Sequence, residues 1–364
     1  IGGSSLGLKA LYEILVGGKF SGEGSCFPQV FFIETVDECE QEVYKRKVVA
    51  FLLQKKRVLY LIISKSGTTL ETSVNAAHFL VLLRTYQPET YRDSVIFITD
   101  ADSPLWNYGK SIGSLCLYIP SAIGGRFTFF TSVTLFFLEL LHQDSGQLLD
   151  GAKSMLYHCL QSSFNENPAA QMAMRLYAYY RNGFPLFDTF IFCSRLHNYG
   201  LWYRQLVAES LGKEYARDGK RVMEGITPTI SMGTQDLHSM LQLYVGGPRN
   251  TITRFILMEA EQNKSSESNL ALKAQEIFGY DIVQGHSMRG IMNAIVTSVL
   301  ATYRKYERPF LTIHLKDMTL HTVGQLCFMN MLETVYLGAL LNIDITGQPN
   351  VDGYKKQARE ILAQ

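Results

Sequence analysis

The chain has 364 residues, of which 47% are hydrophobic and 18% are charged. This length and apolar content predict two domains with sizeable cores, and they exclude intrinsic disorder over most of the chain. The formal net charge is only +1, from 34 basic and 33 acidic residues. No basic excess indicates a nucleic-acid partner, so affinity for an anionic ligand must come from a local site.

The six cysteines are scattered and form no C-x-x-C pair. Their spacing favours neither a disulfide framework nor a zinc site, so we expect reduced thiols in a cytoplasmic protein without a bound metal. No apolar stretch reaches the ~18 residues of a membrane helix, and no signal peptide heads the chain, so no membrane partner is expected. Because the chain opens inside a glycine motif without an initial Met, we expect further residues upstream.

Short apolar runs alternate with helical patterns in the first half of the chain. The runs predict strands at residues 30–33, 58–63, 94–99 and 115–119. Helical spacing covers residues 37–54, 71–83 and 131–142. In the first of these helices, Val43, Val48, Val49 and Leu52 are expected to face the core.

A second alternation follows a largely helical connection. Helices are predicted at residues 144–160, 169–180, 199–211, 270–278, 322–341 and 352–363, strands at 186–193, 251–258 and 309–315, and a solvated loop at 263–269. Such alternation predicts an α/β protein with two mainly parallel sheets. We place the first domain at residues 1–145, the helical connection at 146–182, the second domain at 183–345 and a C-terminal helical segment at 346–364.

The strongest candidate site is the polar turn at residues 64–69, between a predicted strand and a predicted helix. Its members are Ser64, Lys65, Ser66, Gly67, Thr68 and Thr69. Helix N-termini attract anions through free N–H groups, and the hydroxyls and the ammonium add donors, so the turn is typical of a phosphate cradle. It lacks the spacing of a Walker loop. The alternative is an ordinary polar turn with a helix cap.

Two further turns are rich in glycine. Residues 1–7 place Gly2, Gly3 and Ser4 before a helical pattern, which also suits a purely structural turn. Gly124 and Gly125 precede Arg126. Glycines permit close approach of the backbone to a ligand, and arginine offers planar donors to oxyanions. A lone arginine also suits a surface salt bridge.

Three other residues could carry acid–base chemistry. Glu209 lies on an apolar helix with Gln205 one turn earlier on the same face. It could be a general base in a partly apolar setting or an exposed carboxylate. His238 could titrate near neutral pH or be structural. Lys355 and Lys356 lie early in the terminal helix, where a solvated lysine pair is the alternative.

Taken together and in order, these motifs resemble the phosphoglucose isomerase family, of the bacterial type. The resemblance runs from residues 1–4 to Lys355. It rests on SKSGTTLET at residues 64–72, GGRF at 124–127, AESLGK at 208–213, GTQDLHS at 233–239 and QPNVDGYK at 348–355. It implies two doubly wound parallel-sheet sugar-isomerase (SIS) domains of three αβα layers. It also implies the glycolytic and gluconeogenic exchange of glucose 6-phosphate and fructose 6-phosphate through a cis-enediol, without a cofactor.

The same resemblance implies a role for each matching position. Glu209 would move the proton between C1 and C2, Arg126 would stabilise the enediolate, and His238 and Lys355 would open the sugar ring. Phosphate and sugar would be bound by Ser64, Lys65, Ser66, Thr69, Gly3, Ser4, Gln205 and Gln348. Glu71 would support the histidine, and His238 would reach the site of the neighbouring subunit in a homodimer.

Some features depart from the family pattern. The extension of on the order of 100 residues that family members carry before the first glycine motif is absent from this sequence. Ser5 stands where many members have Asp, and Leu211 where many have Asn. Two other functions remain open: a non-catalytic sugar-phosphate-binding module of the same fold, and a bifunctional glucose/mannose phosphate isomerase.

Overall fold

A computed structural model describes residues 1–17, 27–259 and 286–364. Its strands are β1 (Tyr60–Ser64), β2 (Val95–Thr99), β3 (Leu115–Tyr118), β4 (Leu186–Ile191), β5 (Lys213–Tyr215), β6 (Arg221–Glu224), β7 (Thr227–Met232), β8 (Thr251–Met258) and β9 (Phe310–Leu315). Its helices are α1 (Gly3–Val16), α2 (Glu38–Leu53), α3 (Leu70–Tyr86), α4 (Pro104–Ser111), α5 (Ser132–Leu140), α6 (Ser145–Cys159), α7 (Pro168–Arg181), α8 (His197–Leu211), α9 (Leu241–Gly246), α10 (Met288–Lys305), α11 (Leu320–Leu340) and α12 (Pro349–Leu362).

The strands form two parallel sheets and one small hairpin. The first sheet has the order β1-β2-β3 and the second the order β7-β4-β8-β9, with all neighbours parallel, while β5 and β6 pair antiparallel. Strand β2 is buried along its whole length, as expected for a central strand covered on both faces. The predicted α/β class with two parallel sheets is confirmed.

Two local predictions were wrong. Residues 30–33 form no strand. Their apolar character serves packing instead, since Phe32 lies edge-on to Tyr12 and near Phe137. Val43 is 52% exposed, whereas Val48 and Leu52 of the same helix are buried. At 3.6 residues per turn Val43 lies about 140° around the helix from Val48, so both cannot face one core.

Several elements were not foreseen from the sequence. Strand β7 contains Pro228 and alternating polar residues, which hide the strand pattern; it forms an edge of its sheet, where proline is tolerated. The β5–β6 hairpin, α9 and α10 were also unpredicted. The helix predicted at 270–278 and the loop predicted at 263–269 lie outside the described residues.

Helix α8 lies at the centre of the larger core. Its residues Tyr199, Trp202, Tyr203 and Leu206 are fully or almost fully buried. Its N-cap residue, Leu196, makes no capping hydrogen bond through its side chain. Instead, the Glu13 carboxylate of α1 accepts a hydrogen bond of 2.7 Å from the Asn198 N–H in the first turn of α8. Packing on several sides therefore makes α8 a rigid support for any group on its remaining face.

Other features of the fold bear on function. The five described cysteines have free thiols, and Cys26 lies outside the described residues. Within the described ranges, no helix is both long and apolar enough to cross a bilayer. The same ranges contain no group of three or more His, Cys, Asp or Glu side chains suited to a metal ion.

Candidate active site

Glu209 lies in the last turn of α8 with its side chain 29% exposed. Each carboxylate oxygen accepts a hydrogen bond from a glutamine amide: Oε1 from Gln205 Nε2 and Oε2 from Gln348 Nε2, both at 2.8 Å. The predicted common face of Gln205 and Glu209 is confirmed by this contact. The two amides fix the orientation of a carboxylate that remains accessible from solvent.

Arg126 supplies a buried positive charge to the same carboxylate. Its side chain has no exposed surface, and Nη1 lies 3.3 Å from Glu209 Oε2. Nε donates to Ser210 Oγ at 2.7 Å, and Nη2 donates to the main-chain oxygens of Ile345 and Thr346. The alternative of a surface salt bridge was therefore wrong. Burial lowers the pKa of Arg126, and the Glu209 carboxylate opposes that shift, so the guanidinium stays charged and fixed.

Lys213 adds a second cation that sequence reasoning gave no role. Its Nζ donates to the main-chain oxygen of Glu209 at 2.9 Å and to that of Gly347. Burial is the main cause that lowers the pKa of Lys213, and Arg126 adds to it. A signal was available, because Lys213 stands four residues after Glu209, directly beyond the end of α8.

The start of α1 packs directly against these groups. A methyl group added at Gly3 would lie 2.4 Å from Arg126 N and from the carbonyl carbon of Gly125, and Gly2 faces the Gln205 side chain. Thr128 Oγ1 donates to the main-chain oxygens of Gly3 and Gly125. Both glycine turns therefore meet, and Ser4, which is buried, lies beside their junction.

The polar turn at residues 64–69 connects β1 to α3. Ser64 Oγ and Thr69 Oγ1 share a hydrogen bond of 2.9 Å, and Gly67 has a positive φ of 65° that favours glycine. Thr69 is the N-cap residue of α3, yet its side chain makes no capping hydrogen bond. The capping role proposed as the alternative is therefore absent at Thr69, which leaves N–H groups of the first turn available to an anion.

Helix α12 and the residue before it contact the polar turn and the Glu209 carboxylate, respectively. Gln348, immediately before α12, binds Glu209, while Arg359 Nη2 lies 3.4 Å from the main-chain oxygen of Thr68. These two positions are separated by about 17 Å of helix axis. The polar turn and Glu209 are thus associated with opposite ends of one helix.

Three other predicted residues, His238, Lys355 and Glu71, belong to elements other than α8. His238 is exposed, just after the 3₁₀ turn Gln235–Leu237. Lys355 is 45% exposed and its Nζ lies 3.5 Å from Asp352. Glu71 is half-buried in the first turn of α3. Among the described contacts, no hydrogen bond or ion pair joins any of these three residues to Glu209 or to one another.

Solved structures resemble this chain over its whole length. A hypothetical protein from Thermus thermophilus superposes with a TM-score of 0.83 at 26% identity, covering 100% of this chain and 82% of that one. A glucose-6-phosphate isomerase from Chlamydia trachomatis gives a TM-score of 0.82 at 22% identity, covering 100% and 68%. At 22% identity, the similarity to the Chlamydia trachomatis structure supports the fold alone.

Sequence relatives are consistent with this similarity. The glucose-6-phosphate isomerase of Methanocaldococcus jannaschii is 29% identical over 364 residues, covering 100% of this chain and 83% of that protein. That of Campylobacter jejuni is 27% identical over 364 residues, covering 100% and 84%. The family model described as phosphoglucose isomerase matches residues 1–364. The chain therefore belongs to the phosphoglucose isomerase family.

Proposed function

We propose that this enzyme catalyses the reversible aldose–ketose isomerisation of glucose 6-phosphate and fructose 6-phosphate. Membership of the family supports the reaction. The observation that carries the proposal is the accessible Glu209 carboxylate, which is held by two amides and faces the buried Arg126 guanidinium. A proton shuttle between neighbouring carbons requires such a base beside a fixed positive charge.

Glu209 takes the proton from C2 of the open-chain aldose and returns it to C1, by way of a cis-enediol. Arg126 stabilises the negative charge that develops on the enediolate oxygen. Its hydrogen bonds to Ser210, Ile345 and Thr346 fix the guanidinium before substrate binds, so little reorganisation is needed during the reaction.

The substrate phosphate binds in the polar turn, where Ser64, Lys65, Ser66 and Thr69 donate to its oxygens. The uncapped first turn of the 17-residue α3 adds N–H groups and the positive end of the helix dipole. Gly3, Ser4, Gln205 and Gln348 contact the sugar. Binding a phosphate remote from the reacting carbons keeps the sugar in register with Glu209 and lowers the barrier.

His238 and Lys355 open the sugar ring, and Glu71 supports the histidine. On the strength of the family resemblance, we propose a homodimer in which His238 completes the site of the partner subunit. The partners are thus a small sugar phosphate and a second copy of the chain. The protein functions in the cytoplasm, in glycolysis and gluconeogenesis, and uses no cofactor.

The chain is further proposed to be of the bacterial type within the sugar-isomerase (SIS) fold. Its two domains are residues 1–145 and 183–345, joined by the helical connection 146–182, with 346–364 as a C-terminal segment. Each domain contains one of the parallel sheets. The proposed site residues come from both domains and from the C-terminal segment.

The proposal is tested with the purified chain and fructose 6-phosphate, coupled to oxidation of the glucose 6-phosphate formed. We expect turnover in the presence of a chelator and with no nucleotide other than that of the coupling enzyme. A folded chain without turnover would contradict the proposed reaction.

Sharing of His238 is tested by mixing two inactive variants. Glu209→Gln and His238→Asn are unfolded, mixed in equal amounts and refolded together. If the histidine acts across the interface, one site of each heterodimer contains both native groups, and about one quarter of wild-type activity returns. If the two residues act within one subunit, no activity returns.

A further inference from the structure

The Lys213 side chain joins the end of helix α8, which carries the proposed base, to the segment that contains Gly347. Lys213 follows α8 after Gly212, and its side chain turns back along the last turn of the helix. Carbonyls in the last turn lack intrahelical donors. The Lys213 ammonium supplies one to the main-chain oxygen of Glu209, at 2.9 Å, and a cation is favourable at this end of a helix dipole.

The same ammonium holds the segment that carries Gln348. Nζ donates to the main-chain oxygen of Gly347, and the next residue, Gln348, donates to Glu209 Oε2 at 2.8 Å. The two preceding carbonyls accept from Arg126. Three successive carbonyls of this segment are therefore fixed by two buried cations that also contact Glu209.

Burying two cations together is costly. Burial and the neighbouring Arg126 both lower the pKa of Lys213, while Asp344 and Glu209 oppose the shift. A neutral side chain would avoid this cost, whereas the charged one makes two hydrogen bonds directly behind the reacting carboxylate. The arrangement favours a role in positioning over one in packing alone.

We infer that Lys213 is a positioning residue for isomerisation: it fixes the end of α8 to the 345–348 segment and so holds the Gln348 amide on the Glu209 carboxylate. This inference rests on the proposed function. It predicts that loss of Lys213 impairs the chemical step more than substrate binding, since neither hydrogen bond of the Lys213 ammonium goes to the polar turn at residues 64–69.

The test compares Lys213→Met with Lys213→Arg, and uses Lys220→Met, at an exposed lysine, as the matched control. Circular dichroism first establishes that each variant is folded. We expect Lys213→Met to lower kcat by about 10- to 100-fold with KM for fructose 6-phosphate changed less than about threefold. Lys213→Arg restores part of the loss because it keeps the charge and the donors, and Lys220→Met matches the wild type.

A double-mutant cycle with Gln348→Ala tests the route of the effect. If Lys213 acts through Gln348, adding Lys213→Met to Gln348→Ala costs little further kcat. A folded Lys213→Met with wild-type kcat, or losses that multiply fully in the cycle, would overturn the inference. Should Lys213→Met not fold, Lys213→Gln replaces it in both comparisons.

The wild-type assay separates the two proposals. Absence of turnover in the wild type contradicts the proposed function. Wild-type turnover together with an unchanged Lys213→Met contradicts only the role of Lys213.

Discussion

Arg126 and Glu209 are 83 residues apart in the sequence, yet Arg126 Nη1 lies 3.3 Å from Glu209 Oε2. The arginine is completely buried and the glutamate is 29% exposed. The pair therefore presents an accessible carboxylate on a fixed, charged support. This asymmetry suits a base that must reach substrate beside a cation that must not move.

Replacing the carboxylate by an amide isolates its role as a base. Glu209→Gln keeps the size of the side chain but cannot accept a proton. We expect kcat for isomerisation to fall by roughly 10²- to 10⁴-fold, while a phosphorylated sugar acid still binds. Steady-state kinetics and calorimetry measure the two effects, with Glu89→Gln, at an exposed position, as the control. Retained activity would refute the assignment of the base.

Removing the ammonium of the polar turn addresses phosphate binding. Lys65→Ala takes away one charged donor from a turn that keeps its Ser64–Thr69 hydrogen bond. We expect KM to rise by about tenfold or more, in line with the roughly 1.5–3 kcal/mol of a hydrogen bond to a charged group. Lys153→Ala, at an exposed position of α6, is the control. An unchanged KM would argue against phosphate binding by this turn.

Gly3, at the junction of the two glycine turns, has no room for a side chain. In Gly3→Ala the new methyl group would meet the backbone of Gly125 and Arg126 at 2.4 Å, so either α1 or the arginine must shift. Overpacking costs about 1–3 kcal/mol of stability, and a displacement near 1 Å costs about 10²-fold in kcat/KM. Thermal unfolding and kinetics measure both losses. Gly290→Ala, where the nearest atom lies at 3.4 Å, should show neither loss.

Asp188 forms a second polar cluster, whose described hydrogen bonds do not include Glu209. Its Oδ1 accepts hydrogen bonds from Thr229, Ser231 and Tyr244, and Oδ2 is buried and has no partner within the described residues. Burial raises the pKa of the Asp188 carboxyl to about 6, although the three hydroxyl groups oppose the shift. The cluster joins β4 to β7 and to α9. In the sequence, β7 precedes His238 and α9 follows it.

The raised pKa makes this cluster a source of pH-dependent stability. In the folded chain the Asp188 carboxyl keeps its proton up to about pH 6, whereas in the unfolded chain it loses the proton near pH 4. The contribution of this protonation to the free energy of unfolding is therefore complete below about pH 4 and is lost as the pH rises through about 6. Relative to Asp188→Asn, which keeps the acceptor oxygen, the wild-type free energy of unfolding should fall by about 3 kcal/mol across this window. Urea unfolding at both ends of the window measures the difference.

A matched variant isolates the buried group from the rest of the titration. Asp150→Asn, which replaces an exposed aspartate on α6, is that control. An Asp188→Asn difference with the same pH dependence as the Asp150→Asn difference would contradict the raised pKa of Asp188.

Local sequence patterns predicted two parts of the candidate site. The four-residue spacing of Gln205 and Glu209 predicted their common helical face, and their 2.8 Å contact confirms it. The position of the polar turn between β1 and α3 was also predicted correctly. Both depend on neighbours in the chain, where backbone geometry alone fixes which side chains meet.

Contacts between distant segments could not be read in this way. Nothing local indicated that Arg126 is buried, that Lys213 holds Gly347, or that the apolar residues 30–33 form no strand. Each depends on which segment packs alongside, and an apolar run packs equally well as a strand or as an extended connection.

The sequence by itself determined the alternation of strands and helices, the polar turn and the helical face that carries Glu209, because these follow from periodicities of a few residues. Only the tertiary structure decided that Arg126 and Gln348 contact that carboxylate and that Lys213 holds Gly347. These contacts join residues 83 to 139 positions apart, and they form because polar and charged groups that the core buries must find hydrogen-bond partners.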